Sequence, residues 1–191
     1  MTICIIHTGG TIAMRAGPDG LAPADGVLEA GLEALARAGI ARGETEVVHL
    51  TPAIDSANAR FADWNRIAEV IHAGQSHYSG FVVTHGTDTL AYTAAALSFA
   101  LVGLARPVIV TGSMLPFEAA GTDARQNLGD ALLAATRAPA GVWVQFAVCR
   151  KVDGRRKGAQ SAFPSGGCLY GAGWRAKPAQ GRSCPAALWR A

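Results

Sequence analysis

Short apolar runs alternate with amphipathic stretches from residue 3 to about residue 147, and that alternation restricts what the chain can become. Ile3–His7, Glu46–Leu50, Gly80–Thr84, Pro107–Thr111 and Gly141–Phe146 read as strands. Val27–Ala38, Phe61–Ala73, a stretch from Asp88 to Leu101 and Asp123–Thr136 read as helices. Leu28, Leu32 and Leu35 share one helical face, as do Trp64, Ile67, Ala68 and Ile71. Strands separated by helical stretches imply parallel pairing, and apolar runs such as Phe81–Val83 suit strands covered on both faces. The expected fold is α/β: a three-layer α/β/α sandwich around a mostly parallel, flavodoxin- or Rossmann-like sheet. Right-handed crossovers then bring every loop that follows a strand to one edge.

Two of those loops carry similar chemistry. Thr8-Gly9-Gly10-Thr11-Ile12-Ala13 follows the first strand, and His85-Gly86-Thr87-Asp88-Thr89-Leu90 follows the third. In open α/β sheets, ligands sit beyond the carboxyl ends of the strands, so the two loops are expected to share one site. Opening a small amide takes a nucleophile, a means of deprotonating it, donors for the oxyanion and anchors for the substrate's charges. Thr8, beside two glycines, can approach a ligand closely. Thr87 and Asp88 offer a hydroxyl, a backbone N–H and a carboxylate together. A threonine–lysine relay would have to use Lys151, Lys157 or Lys177, the chain's three lysines. His7 and His85, at strand ends, read as structural rather than as metal ligands. Ser56, after Asp55 on the loop Thr51–Arg60, falls on the same edge.

Composition narrows the class. Half of the 191 residues are apolar and 16% are charged, which supports a packed core. The longest apolar stretch, Ala94–Leu104, falls short of the roughly 20 residues a spanning helix needs, and the N-terminus shows no leader pattern, so a cytoplasmic protein away from membranes is expected. Cys4, Cys149, Cys168 and Cys184 show no zinc spacing. Residues 1–149 hold eight arginines against thirteen acids, a net of −5, whereas residues 150–191 hold nine basic residues against Asp153, a net of +8. No nucleic-acid motif accompanies that basic tail, so it reads as solvated and a nucleic-acid partner is not expected. The expected division is 1–147 as the α/β domain and 148–191 as a basic, Gly/Pro-rich, partly disordered extension with a short strand or hairpin.

Together the two motifs resemble the bacterial-type L-asparaginases, the threonine amidohydrolases. His7-Thr8-Gly9-Gly10-Thr11-Ile12-Ala13 looks like the family's first signature, and Thr84-His85-Gly86-Thr87-Asp88-Thr89-Leu90 like its second. Asp55-Ser56, the run from Ala91 to Phe99, Pro107–Pro116, and Asp123 with Asn127 also fall in family order, closer to the cytoplasmic type. The resemblance implies hydrolysis of the side-chain amide of L-asparagine, with some use of L-glutamine, through an acyl-enzyme on threonine. It implies Thr8 as nucleophile, Thr87 as second threonine and oxyanion donor, and Asp88 holding the α-ammonium. Ser56, with Asp55 and Gly86 beside it, would hold the α-carboxylate. No metal or organic cofactor is implied, and a homo-oligomer, dimer or tetramer, is. Lys157, in Gly154-Arg155-Arg156-Lys157 and six residues before Phe163, is the counterpart of the relay lysine, with Lys151 as fallback. Two features depart from the pattern: no tyrosine lies between residues 8 and 77, where the family's mobile loop carries one, and the smaller C-terminal domain has no counterpart. A short-chain form is therefore expected. The alternatives are a glutaminase or tRNA-linked amidotransferase component, and a catalytically dead amino-acid-binding module.

Overall fold

A computed structural model describes residues 1–41, 43–146 and 169–171. Its strands are β1 (Thr2–His7), β2 (Met14–Gly17), β3 (Gly20–Pro23), β4 (Glu44–His49), β5 (Gly80–Thr84), β6 (Pro107–Thr111), β7 (Gly141–Gln145) and β8 (Leu169–Gly171). The helices are α1 (Val27–Arg37), α2 (Phe61–Gly74), α3 (Leu90–Ala100) and α4 (Ala124–Arg137). The main sheet runs β4-β1-β5-β6-β7-β8. Its first five strands pair in parallel and β8 is antiparallel to β7.

The apolar runs become strands because both faces are buried. Ile3, Ile5, Val82 and Ile109 pack with Leu28, Leu32, Leu128 and Leu132 of α1 and α4. Cys4, Ile6, Phe81, Val83, Val108 and Val110 pack with Ile67, Ile71, Ala94 and Leu97 of α2 and α3 on the opposite face. Alternation along β1 therefore feeds two separate cores, one residue to each side. Gly31 lets α1 approach closely: a Cβ there would lie 2.9 Å from the Phe117 ring. No helix among the described residues is long and apolar enough to cross a membrane.

The structure refines the sequence reading in three places. The stretch between β1 and α1, given no strand or helix above, contains the β2–β3 hairpin, with Gly17 pairing with Gly20 around the Pro18-Asp19 turn. Its strands are short and largely exposed, so no buried alternation announces them. β4 begins at Glu44, two residues early, and ends at His49, as a half-exposed edge strand. Helix α3 starts at Leu90, which leaves Asp88 in the preceding turn rather than in the first helical turn. Lys151, Lys157, Lys177, Cys149, Cys168 and Cys184 lie outside the described residues, as does all of 148–191 except the strand 169–171.

Candidate active site

Beyond His7, β1 enters the first bend. The Thr8 N–H and hydroxyl both donate to the Thr84 carbonyl, at 3.2 and 2.9 Å. The Thr8 carbonyl in turn accepts the Ile54 N–H at 2.6 Å. Thr8 continues the parity of Cys4 and Ile6, so its side chain enters the α2/α3 side of the sheet and is fully buried. The expected nucleophile thus stands behind the wall, its hydroxyl committed to a backbone carbonyl. It clips β1, β5 and the loop after β4 together.

Gly9 (φ 119°) and Gly10 (φ 90°) then turn the chain through conformations closed to L side chains. Gly10 lies flat against the second bend: a Cβ there would sit 2.7 Å from the Gly86 nitrogen. A short 3₁₀ turn, Thr11–Ala13, follows. Ile12 and Ala13 enter the core, while Thr11 is half-buried and lines a cleft. Its hydroxyl bonds to no described residue. Sequence reading misses Thr11 because both threonines flank the Gly-Gly pair. The available signal is proximity to the strand: Thr8 directly continues the buried run of β1, whereas Thr11 follows the two glycines that turn the chain.

The second bend is held from behind by His85. The His85 N–H donates to the Thr111 carbonyl at 2.8 Å. Its ring is buried, with Nδ1 2.8 Å from the Gly86 carbonyl and Nε2 3.1 Å from Thr93 Oγ1. Trp64 Nε1–H donates to the same Thr93 hydroxyl at 2.9 Å. Burial lowers the His85 pKa, opposed by the Gly86 carbonyl and by Asp63 and Asp88, so the ring is neutral. A carbonyl only accepts, so the ring proton is assigned to Nδ1, and Nε2 accepts from Thr93. Gly86 C=O and Thr87 N–H are opposite ends of one planar peptide, so pinning the first sends the second the other way.

Asp55 and Ser56 arrive from the loop after β4. The Ser56 hydroxyl donates to Asp88 Oδ2 at 2.8 Å, and the Thr89 hydroxyl donates to the Ser56 carbonyl at 2.7 Å. Any Cβ on Gly86 would overlap the Ser56 hydroxyl. Asp55, exposed, turns its carboxylate to Ala57 N–H and Asn58 Nδ2 at 3.1 and 2.7 Å. The structure therefore brings Gly86, Thr87, Asp88, Ser56, Asp55 and Thr11 to one cleft of about 730 Å³, and sets Thr8 behind it.

The same cleft has a second wall, lined by His7, His49 and Glu29. His49, His7, Thr84 and Thr111 occupy one register row across β4, β1, β5 and β6. Glu29 Oε1 lies 2.6 Å from His49 Nε2, the two imidazoles meet edge to face at 5.4 Å, and His7 Nδ1 lies 2.8 Å from Thr84 Oγ1. Burial, then the His49 charge, push the His7 pKa down to about 4 against the pull of Glu29. His7 thus hydrogen-bonds beneath the first bend and also lines the cleft. The row itself is formed by register and is not visible in a linear sequence. Among the described residues no three or more His, Cys, Asp or Glu side chains are grouped to hold a metal ion.

Comparison with known proteins converges on one family. The family model described as "Asparaginase, N-terminal" matches residues 2–156. L-asparaginase 1 of Escherichia coli (strain K12) is 42% identical over 139 residues, covering 72% of this chain and 41% of the relative. The L-asparaginase of Thermococcus kodakarensis is 38% identical over 150 residues, covering 76% of this chain and 44% of that protein. The crystal structure of L-asparaginase I from Vibrio cholerae is similar with a TM-score of 0.67 at 34% identity, covering 89% of this chain and 51% of that one. The chain thus spans about half or less of the length of the relatives it matches. With its parallel sheet, its two glycine-threonine bends and their meeting at Gly10 and Gly86, the chain belongs to the asparaginase family, over that family's N-terminal region.

Proposed function

We propose that the cleft hydrolyses the side-chain amide of L-asparagine to L-aspartate and ammonia, with L-glutamine as a secondary substrate. Family membership supports an amidohydrolase. The observation that carries the finer reading is the presentation of Thr11, Thr87, Asp88 and Ser56 to one cleft. In this reading Thr11, not Thr8, is the nucleophile, since a hydroxyl must reach the substrate to attack it. Thr11 Oγ attacks the amide carbon as its proton passes to a base. The oxyanion is met by the Thr87 N–H, whose peptide is held by His85. Protonated nitrogen leaves as ammonia, and water opens the threonyl ester to release aspartate. Thr87, with Lys157 as relay, is the proposed path for the proton.

Binding follows from charge. A substrate ammonium entering a cleft needs an opposite charge, which Asp88 supplies. The Ser56 hydroxyl that now donates to Asp88 then turns to the substrate's α-carboxylate, because the ammonium takes its place at the aspartate. Asp88→Asn keeps the shape and removes the charge. It should lower kcat/KM about 10- to 100-fold, mostly through KM, in steady-state assays.

Ammonia release from asparagine and from glutamine, measured on wild type, Thr11→Ala and Thr87→Val, tests the reaction. Ammonia from wild type and none from the variants supports it. Thermal stabilisation by asparagine without ammonia assigns the protein to amino-acid binding alone. Self-association into a dimer or tetramer is part of the same proposal, supported by Tyr92, Phe99 and Val102 standing exposed along and just beyond α3. Light scattering on the purified chain reads it directly.

A further inference from the structure

We infer that Asp123 is a positioning residue for the reaction: by gathering the loop after β6 it holds the Thr11 turn and the Thr87 bend at a fixed separation. This rests on the reading of Thr11 and Thr87 as the reacting pair.

Asp123 immediately precedes α4, where a short acid ordinarily caps its own helix. Here its side chain makes no cap hydrogen bond. The Thr122 hydroxyl instead accepts the Ala124 N–H at 3.0 Å. The Asp123 carboxylate turns back into the loop and is almost fully buried. It accepts Met114 N–H at 2.9 Å, Leu115 N–H at 3.1 Å and Asn127 Nδ2 at 3.2 Å. Asn127 Nδ2 also donates to the Gly112 carbonyl at 2.9 Å. A carboxylate that accepts three N–H donors at once fixes the loop and the first turn of α4 to one another.

The loop so gathered reaches both bends. At one end, a Cβ on Gly112 would overlap the His85 carbonyl oxygen, so Gly112 packs directly behind the residue that pins Gly86. At the other end, the Phe117 N–H donates to the Ile12 carbonyl at 3.2 Å, one residue from Thr11. The Phe117 ring wedges against Gly31 of α1 and carries Arg125 over its face at 5.1 Å. The two bends also touch directly, at Gly10 and Gly86, and their strand ends are joined by the bonds of Thr8 to the Thr84 carbonyl. The bracket 112–117 ties each to a common rigid piece. Of the substrate-gripping groups, Ser56 lies on a segment this loop does not bond to, and Asp88, in the same bend as Thr87, is held by the Ser56 hydroxyl. Loosening the bracket should therefore disturb reaction geometry more than binding.

The test uses the full chain. Asp123→Asn conserves shape but sets an NH₂ donor among three N–H donors. The expected result is a fall in kcat for asparagine of about 10-fold or more, since an ångström of misplacement is costly to an aligned attack. KM should stay within about threefold, and thermal stabilisation by aspartate should persist. Wild-type kcat in the folded variant overturns the inference, as does a raised KM with kcat intact. Should Asp123→Asn fail to fold, Gly112→Ala strikes the bracket's other end: the same loss of kcat with binding retained supports the inference, and wild-type kcat overturns it. The underlying reading fails separately, on a wild type that releases no ammonia or on a Thr11→Ala variant that keeps its rate.

Discussion

The bend after β1 and the bend after β5 both leave a parallel strand through a threonine and a glycine, yet they treat their hydroxyls in opposite ways. In the first, Thr8 turns inward and is fully buried on the Thr84 carbonyl, and a second threonine appears in the cleft only after two positive-φ glycines. In the second, Thr84 is the buried strand-end threonine, while the cleft threonine, Thr87, follows His85 and Gly86. Each bend therefore sets a buried strand-end hydroxyl apart from one presented to the cleft. The difference lies in what turns the chain: backbone freedom in the first, a buried imidazole in the second. Position relative to the glycines, which turn the chain off the strand, decides which hydroxyl lines the cleft.

The comparison breaks most sharply at the paired threonines. Thr11→Ala should lower ammonia release by at least about 10³-fold, a loss on the scale of removing a nucleophile. Thr8→Ala should retain most of the rate; the reverse ranking in the same assay would restore Thr8 as the attacking group. Next in size is the backbone of the first bend. Gly10→Ala forces a side chain into φ 90° and against Gly86, and should cost about 2–4 kcal/mol in denaturant-monitored unfolding. Gly86→Ala tests the second bend by sterics alone, through its overlap with Ser56.

The wall beneath the first bend gives a pH signature of intermediate size. His7 is held below its ordinary value, with a pKa of about 4 in the fold against 6.5 unfolded. His49 of β4, Glu29 of α1 and Thr84 of β5 are the polar groups that face it. Between those values the unfolded chain binds the proton that the native chain refuses. Stability is therefore fully present above about pH 6.5 and is lost as pH falls toward 4, by about 3 kcal/mol. His7→Gln should flatten that slope in chemical-denaturation curves taken across the window. The smallest effect expected is that of Thr8→Val on stability. It removes one hydroxyl donor while the Thr8 N–H still serves the Thr84 carbonyl, and should cost about 1 kcal/mol.

Much of the fold is legible along the chain because burial imposes a period. Ile3–Ile6, Phe81–Val83 and Val108–Val110 announce strands covered on both faces, and Leu28, Leu32 and Leu35 announce the helix that covers one of them. The β2–β3 hairpin is not legible, since its residues are mostly exposed and no core enforces an alternation on them. The start of α3 is obscured because Asp88 has a cap's chemistry but is engaged by Ser56. Within the site, Thr87, Asp88, Ser56, Asp55 and Gly86 are legible from their position after strands. Thr11 does not stand out in sequence beside Thr8. Nor does the bracket formed by Asp123, because its carboxylate bonds residues eight and nine positions away around a folded loop.

The sequence by itself determined the α/β class, the edge of the sheet on which chemistry gathers and the family, since hydrophobic period and local motif are properties of neighbours along the chain. Only the tertiary structure decided which threonine faces the cleft, that Gly10 and Gly86 meet, and that His49, His7, Thr84 and Thr111 form a row. Those facts depend on register and on the direction of each side chain once strands distant in sequence are packed about 4.7–4.9 Å apart.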